Sequence, residues 1–263
     1  MSRRVLITGA TSGLGREMAL QLAREGCRLA LSGRRRERLL SVCRDARSAG
    51  APEVLELLGS VGDAAQVAAH YAQIKRRWGG LDWAILNAGV GDSKDARQFS
   101  AQNYRWTFEC NVFGAAQWLE ALLPDMIAAR SGVVAGIASL AAYRGLPLSG
   151  AYSASKAALV TLLESTRVDL RGSGVDVVTV SPGFVKSELT DRNPPGSMPF
   201  LLSTEDGAAR IIAGIKRRKR LVHFPWQLSL PVLYGLRHLP DALYDRLAAR
   251  LRRSKRPDPK APR

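Results

Sequence analysis

A tyrosine and a lysine four positions apart are the strongest candidates in this sequence for a pair of catalytic residues. Tyr152 and Lys156 lie in AYSASKAALV, residues 151–160. Residues at i and i+4 share one face of a helix. An ammonium about 4 Å from a phenol, at an effective dielectric of about 20, supplies about 4 kcal/mol toward lowering a pKa of about 10. The pair is therefore suited to reversible proton transfer, although this spacing is more often an exposed helix pair.

A glycine-rich turn near the N-terminus predicts a phosphate site. Gly9, Gly13 and Gly15 occur in TGATSGLG, directly after the apolar run at residues 3–8. Glycine permits positive φ and lets backbone approach a phosphate, and the start of the following helix offers free N–H groups. The spacing differs from GxGxxG, which has one residue between its first two glycines. A plain tight turn is the alternative interpretation.

The end of the second predicted strand favours a phosphorylated cofactor. An NAD-binding unit usually has an Asp or Glu about 20 residues beyond the glycine loop, where it binds the ribose 2′-hydroxyl. Here Gly33 is followed by Arg34 and Arg35, with no carboxylate in this stretch before Glu37. Guanidinium groups attract a 2′-phosphate, so NADP(H) is favoured over NAD(H). The alternative is that these arginines are solvated charges that open a helix.

Short apolar runs alternate with helical periods, which predicts a single doubly wound parallel α/β sheet. We expect strands at 3–8, 27–33, 53–58, 81–86, 132–139, 175–180 and 220–224, and helices at 13–26, 34–49, 63–78, 101–130, 150–172 and 204–219.

The domain organisation follows from this pattern. A Rossmann-type domain is expected over residues 1–224, with a lid at about 184–203, where prolines accumulate and periodicity is lost. Residues 225–263 are expected to form a basic helical extension whose last ten or so residues are disordered.

Positive charge is concentrated at the C-terminal end. Of the formal net charge of +16, residues 214–263 carry +11. No nucleic-acid-reading module accompanies this charge, so we expect no nucleic-acid partner. The apolar run from Leu221 to Leu239 contains charged residues and two internal prolines, which argues against a transmembrane helix. It could lie in a membrane interface, but closure over a substrate pocket or a subunit contact is favoured.

The remaining composition points to the cytoplasm, with at most a peripheral membrane contact. The N-terminus lacks the apolar core of a signal peptide. Cys27, Cys43 and Cys110 form no CxxC arrangement, so we expect ordinary thiols and no metal site.

Six motifs in register give the sequence a family resemblance. They are TGATSGLG, NAG at 87–89, NVFG at 111–114, Ser139, YSASK at 152–156 and SPG at 181–183. Their order and spacing resemble the compact branch of the short-chain dehydrogenase/reductase family over about residues 3–224. The resemblance implies an NAD(P)-dependent oxidoreductase of the EC 1.1.1 type, a carbonyl reductase or alcohol dehydrogenase that transfers a hydride between nicotinamide and a small-molecule carbonyl or secondary alcohol.

The resemblance also implies roles for individual residues. Tyr152 is the general acid and base, Lys156 lowers its pKa and holds the nicotinamide ribose, and Ser139 hydrogen-bonds the substrate oxygen. Asn111 lies at a helix irregularity and anchors a water in a proton relay. The cofactor-binding set comprises Gly9, Thr11, Ser12, Gly13, Leu14, Gly15, Gly33, Arg34, Arg35, Ser60, Val61, Asn87, Ala88, Gly89, Tyr152, Lys156, Pro182, Gly183, Val185 and Ser187.

Two members of that set depart from the family pattern. Ser60 stands where relatives commonly have an Asp for the adenine amine, and Ser187 stands where they often have a Thr for the carboxamide. Arg144, Leu146 and residues 184–200 are expected to line the substrate pocket, but they do not identify a substrate.

Two other functions and an assembly state remain open. One is a peripheral membrane reductase of a lipid or hydrophobic ketone. The other is a non-catalytic NADP(H)-sensing or scaffold protein, against which the retained Tyr152 and Lys156 argue. The resemblance further implies a homo-oligomer, a dimer or tetramer, formed through the helices near 101–130 and 150–172.

Overall fold

A seven-stranded parallel sheet organises the part of the chain that the structure describes, residues 2–92, 94–191, 193–194 and 196–254 of a computed structural model. The strand order is β3-β2-β1-β4-β5-β6-β7. The strands are β1 (Arg4–Thr8), β2 (Arg28–Gly33), β3 (Val54–Leu58), β4 (Trp83–Leu86), β5 (Gly132–Ile137), β6 (Val175–Pro182) and β7 (Leu221–Phe224). The predicted doubly wound fold is confirmed.

Helices cover both faces of this sheet. Those that alternate with the strands are α1 (Gly13–Arg24), α2 (Arg36–Ser48), α3 (Ala64–Trp78), α4 (Ala101–Phe108), α5 (Gly114–Ala128), α6 (Gly150–Asp169) and α7 (Thr204–Lys216). Residues of α1, α2 and α7 form one hydrophobic cluster with the sheet, and residues of α3, α5 and α6 form the other. Along β1, Val5 and Ile7 belong to the first cluster and Leu6 to the second, because successive strand side chains point to opposite faces.

The helix expected at 101–130 is broken in the middle. A π-helical turn, Glu109–Phe113, separates α4 from α5. Its fully buried Asn111 points toward the loop after β4, where it bonds the backbone of Val90 at both N–H and C=O. The predicted helix is present over residues 101–128, and the π-helical turn within it accommodates this tertiary contact. The irregularity implied by the family resemblance is present.

The C-terminal extension returns to the carboxyl edge of the sheet. It consists of α8 (Trp226–Leu230), a π-helical turn (Pro231–Gly235), a 3-10 turn (Leu236–His238) and α9 (Asp241–Ser254). The Tyr244 hydroxyl donates to the Gly145 carbonyl at 2.8 Å. Among the described helices, none combines the length and apolar character needed to cross a bilayer. The disorder expected for the last ten or so residues falls outside the described residues.

Candidate active site

A cavity of about 420 Å³ opens at the carboxyl ends of the strands. In doubly wound sheets, ligands bind where the chain changes direction across the sheet, and here β1 lies between β2 and β4. Every residue that the sequence analysis assigned to cofactor binding lines this cavity. The structure therefore brings residues from six separate stretches of the chain to one cavity, and their role in binding a cofactor stays a prediction.

The glycine turn leaves no room for side chains. Gly9 and Gly13 have φ of 66° and 50°, values that favour glycine. A Cβ at Gly15 would lie 2.3 Å from the Gly9 carbonyl oxygen and 2.6 Å from Nδ2 of Asn87. The backbone between β1 and α1 thus forms a tight cradle, and the first amides of α1 have no carbonyl partner within the helix.

Asn87 joins the end of β4 to this cradle. Its side-chain amide donates to the carbonyl oxygens of Thr8 and Gly9 at 2.9 and 3.2 Å. The backbone N–H groups of Asn87 and Ala88 donate to Oγ1 of Thr8 at 3.0 and 2.9 Å. These bonds hold the two central strands together where the cavity begins, so Asn87 supports the cradle as well as lining the cavity.

Tyr152, Ser139 and Lys156 meet on the opposite wall. The first and last lie on α6, and Ser139 follows β5, where its Oγ accepts the Ala141 N–H at 3.1 Å. The Ser139 side chain acts on the Tyr152 phenol, whose pKa it lowers. The Nζ of Lys156 lies 5.7 Å from the centroid of the Tyr152 ring. A phenol, a hydroxyl and an amine therefore face one space.

Burial controls the protonation of this group. It raises the pKa of the Tyr152 phenol above its ordinary value, an effect that the Ser139 side chain opposes. It also lowers the pKa of Lys156 to about 8. Lys156 is only 3% exposed, and its Nζ donates to the Ile137 carbonyl at 2.7 Å. The expected lowering of the Tyr152 pKa by Lys156 stays a prediction.

Asn111 lies behind the cavity wall rather than on it. Besides its two bonds to Val90, its side-chain amide donates to Oγ of Ser155 at 2.9 Å. The Ser155 hydroxyl in turn donates to the Tyr152 carbonyl at 2.8 Å. Asn111 therefore ties α6 to the loop after β4 and holds Tyr152 in place through the backbone. The proton relay implied by the resemblance stays a prediction.

Two arginines mark the far end of the cavity. Arg34 and Arg35 follow β2, and the guanidinium of Arg35 donates to Oγ1 of Thr11 at 2.9 Å and to Oγ of Ser12 at 2.7 Å. These bonds orient Arg35 over the glycine turn. Near this end Oγ of Ser60 accepts the Gly62 N–H at 3.2 Å, which leaves its own proton available to donate.

Sequence reasoning missed several residues of the cavity wall. They are Ser32, Gly59, Val90, Gly91, Trp106, Cys110, Ile137 and Ala138. Glu188, Leu189 and Thr190 also line this cavity and fall within the range 184–200 that was expected at the substrate pocket. Most of the missed residues adjoin a recognised motif, and that adjacency is the signal that could have found them. Trp106 and Cys110 lie on α4 and the π-helical turn, where helical periodicity alone does not indicate which side chains face the cavity.

Arg144 and Leu146 do not line this cavity, contrary to expectation. The guanidinium of Arg144 lies over the Tyr244 ring, with Cζ 4.1 Å from the centroid, and Nη2 bonds Asp241 at 3.1 Å. Arg144 therefore contacts the C-terminal extension instead of the cavity. The loop that carries Ser139 is thereby fastened to that extension.

The lowered pKa of Lys156 predicts a pH-dependent stability. Between about pH 8 and its ordinary value of 10.5, the unfolded chain binds this proton and the folded chain does not, so the free energy of unfolding rises with pH. Relative to Lys156→Met, we expect the wild type to gain about 2 kcal/mol from about pH 8 to about pH 9.5 in urea titrations. A constant difference between the two, or a Lys219→Met control that behaves like Lys156→Met, would contradict this assignment.

The family follows from a direct comparison. Residues 3–196 match the family model described as short chain dehydrogenase. The chain belongs to the short-chain dehydrogenase/reductase family. This dehydrogenase/reductase is accordingly an oxidoreductase with an NAD(P)-binding Rossmann fold.

Relatives resemble this short-chain dehydrogenase/reductase over almost its whole length. An uncharacterized oxidoreductase of Myxococcus xanthus is 45% identical over 251 residues, which cover 95% of this chain and 98% of that protein. An uncharacterized oxidoreductase of Mycobacterium tuberculosis is 32% identical, with 94% and 97% covered. A short chain dehydrogenase/reductase of Burkholderia phymatum, solved in complex with NAD, superposes with a TM-score of 0.81 at 28% identity, covering 88% of this chain and 92% of that one.

Proposed function

We propose that this short-chain dehydrogenase/reductase uses NADP(H) to reduce a carbonyl compound, with Tyr152 as the proton donor. The observation that carries the proposal is the meeting of Tyr152, Ser139 and Lys156 on one wall of a cavity whose far end holds Arg34 and Arg35. In the sheet, β1 and β4 lie between β2 and β5, so the glycine turn after β1 lies between these two ends, an arrangement that suits an elongated cofactor.

The residues present fit a nicotinamide dinucleotide. A Cβ at Gly9 or Gly15 would meet a backbone atom within 3 Å, so the turn between β1 and α1 requires glycine at both positions. The N–H groups at the start of α1 can donate to a pyrophosphate. Guanidinium groups beside the glycine turn suit a 2′-phosphate. Lys156 and Tyr152 are placed to hold ribose hydroxyls, and the hydroxyl of Ser187 lies near the glycine turn for a carboxamide or phosphate oxygen.

The protonation of Tyr152 favours the direction of reduction. When bound, the reduced nicotinamide supplies a hydride to the carbonyl carbon. Tyr152, whose pKa is raised by burial, is protonated at neutral pH and can give its proton to the oxygen as negative charge develops there. Ser139 donates a second hydrogen bond to that oxygen. Lys156, with a pKa of about 8, can then return a proton to the phenolate.

The test is an assay of cofactor oxidation with a panel of ketones and aldehydes. We expect absorbance at the nicotinamide band to fall with NADPH, and at least about tenfold higher kcat/KM than with NADH, because a guanidinium–phosphate contact is worth more than about 1.4 kcal/mol. Faster turnover with NADH would refute the cofactor assignment. Tight NADPH binding without turnover on the whole panel would favour the sensing or scaffold alternative.

A second candidate is a reductase that works at a membrane surface. Trp226, Leu230 and Tyr234 are spaced four residues apart at 66%, 40% and 71% exposure, beside the basic run at 216–220. Aromatic side chains next to cations suit an anionic lipid interface. We expect salt-sensitive sedimentation with phosphatidylglycerol vesicles that a Trp226→Ser/Tyr234→Ser variant loses. Equal sedimentation of the two proteins, or none with either, would refute this candidate.

We also propose a homo-oligomer in which α5 and α6 contribute the contacts. Phe113, the last residue of the π-helical turn before α5, and Val168, on α6, are 52% and 62% exposed, and large exposed apolar side chains favour association. Light scattering that gives the mass of a single chain would contradict this proposal.

A further inference from the structure

A carboxylate from the segment after β6 forms ion pairs with guanidinium groups at the far end of the cavity. Glu188 follows Ser187, and its Oε2 bonds Nη1 of Arg35 at 2.7 Å. Its other oxygen, Oε1, bonds Nη1 of Arg38 on α2. Glu188 itself lines the cavity. One carboxylate therefore bridges two cations, one of which the proposed function assigns to the 2′-phosphate.

A compact turn holds Glu188 in this position. The Ser187 N–H donates to Oγ1 of Thr190 at 2.8 Å, and the Thr190 N–H donates to the Ser187 carbonyl at 2.9 Å. Oγ1 of Thr190 also donates to the Val185 carbonyl at 2.9 Å. A Cβ at Gly13 would lie 3.2 Å from Cβ of Ser187. Residues 185–190 are thus folded on themselves and lie against the glycine turn, which fixes where Glu188 points.

The guanidinium of Arg35 is shared among three partners. Nε and Nη2 donate to the hydroxyl of Thr11, Nη2 also donates to Ser12, and Nη1 bonds Glu188. The two hydroxyls are neutral, so they support the guanidinium without cancelling its charge. The Glu188 carboxylate does cancel it, because the neighbouring arginines hold its pKa below the ordinary value and keep it ionised at neutral pH. Glu188 is therefore the one of the three that a second anion must displace.

We propose that Glu188 determines cofactor specificity by competing with the 2′-phosphate of NADP(H) for Arg35 and Arg38. This inference rests on the proposed function, because it assumes that a cofactor phosphate is recognised there. A 2′-phosphate that reaches Arg35 must displace the carboxylate or accept its repulsion. NAD(H) carries a neutral 2′-hydroxyl at this position and leaves the ion pairs intact. Glu188 thus lowers the affinity for the phosphorylated cofactor alone.

The exposure of these ion pairs limits the size of the effect. The side chains of Arg35, Arg38 and Glu188 are 41%, 52% and 51% exposed, and pairs of this kind are screened by solvent. Two of them together correspond to about a three- to tenfold change in an equilibrium constant. The carboxylate therefore tunes the preference for NADP(H) rather than abolishing it.

The experiment compares dissociation constants in Glu188→Gln and in a matched control. Glu188→Gln keeps the shape of the side chain and removes its charge. Asp191→Asn removes the same charge from the same segment three residues away, at an exposed position. Titration calorimetry with NADPH and with NADH measures binding without any substrate. We expect Glu188→Gln to lower the dissociation constant of NADPH about three- to tenfold while NADH stays within about twofold, and Asp191→Asn to match the wild type.

The possible failures can be told apart. If the wild type prefers NADPH and Glu188→Gln binds it no more tightly, the competition is refuted and the proposed function survives. An equal change for both cofactors, or an equal change in Asp191→Asn, would show a general electrostatic effect and also refute it. If neither the wild type nor Glu188→Gln prefers NADPH, the cofactor assignment and the inference both fail. A preference that emerges only in Glu188→Gln would support the inference.

Discussion

Replacement of Tyr152 by phenylalanine is expected to lower kcat for carbonyl reduction by about 10²- to 10⁴-fold, the contribution typical of a positioned general acid. The substitution removes one hydroxyl and leaves the ring in its place on α6. The interaction with Ser139 is lost with it, but the glycine turn and the arginines at the other end of the cavity are untouched. The dissociation constant of NADPH is therefore expected to change by less than about threefold, since at most one weak contact is lost.

A second tyrosine variant separates chemistry from structure. Tyr104→Phe removes a hydroxyl from α4, where the ring stacks on Phe99 with centroids 4.8 Å apart, and it should turn over like the wild type. Stopped-flow or steady-state rates, calorimetric NADPH binding and thermal melting are measured on all three proteins. Turnover by Tyr152→Phe within about tenfold of the wild type would rule out the role of proton donor. A parallel loss of NADPH binding would instead indicate a structural role.

Gly15→Ala is expected to weaken cofactor binding by about 10- to 100-fold and to lower stability by about 1–3 kcal/mol, the usual cost of forcing a methyl group into a filled space. Its new Cβ would lie 2.3 Å from the Gly9 carbonyl oxygen and 2.6 Å from the Asn87 amide nitrogen. The nearest atom belongs to backbone, so the glycine turn itself must move. The same displacement would strain the bonds by which Asn87 holds β4 to β1.

Gly235→Ala supplies the control for that substitution. A Cβ at Gly235 meets no atom within 4 Å, so the same methyl group is added where there is room for it. Titration calorimetry with NADPH and urea unfolding are carried out on both variants. If Gly15→Ala binds NADPH like the wild type, or if both glycine variants lose affinity equally, the close packing of the cradle does not control binding.

The sheet and most of its helices could be predicted because they depend on local patterns. Buried parallel strands such as β1 and β5 are short apolar runs, and the helices between them have clear amphipathic periods. Local periodicity did not indicate the π-helical turn at Asn111, which only the family resemblance implied. That turn depends on bonds to Val90, a residue 21 positions away, and no local period encodes them.

The sequence predicted which residues form the candidate site better than it predicted their pKa values. Spacing places Tyr152 and Lys156 on one helix face, but it does not say where the amine points or how dry its surroundings are. In the structure Nζ turns to the Ile137 carbonyl of β5, and desolvation dominates both pKa values. The ion pairs of Glu188 were not predicted for a related reason. Glu188 lies in an aperiodic segment, and its partners Arg35 and Arg38 are about 150 residues away in sequence.

Arg144 connects the loop after β5 to the C-terminal extension, and neither of these belongs to the half of the sheet that carries the glycine turn. Arg144 joins the loop after Ser139 to Asp241 and Tyr244 on α9, and the neighbouring Tyr143 hydroxyl lies 3.1 Å from Oγ of Ser181 near the end of β6. The glycine turn, the arginines after β2 and Asn87 belong to the other half of the sheet. Substitutions in the C-terminal extension can therefore shift Ser139 without moving the glycine turn. Substrate range can in this way diverge among relatives while the chemistry of the dinucleotide half is kept.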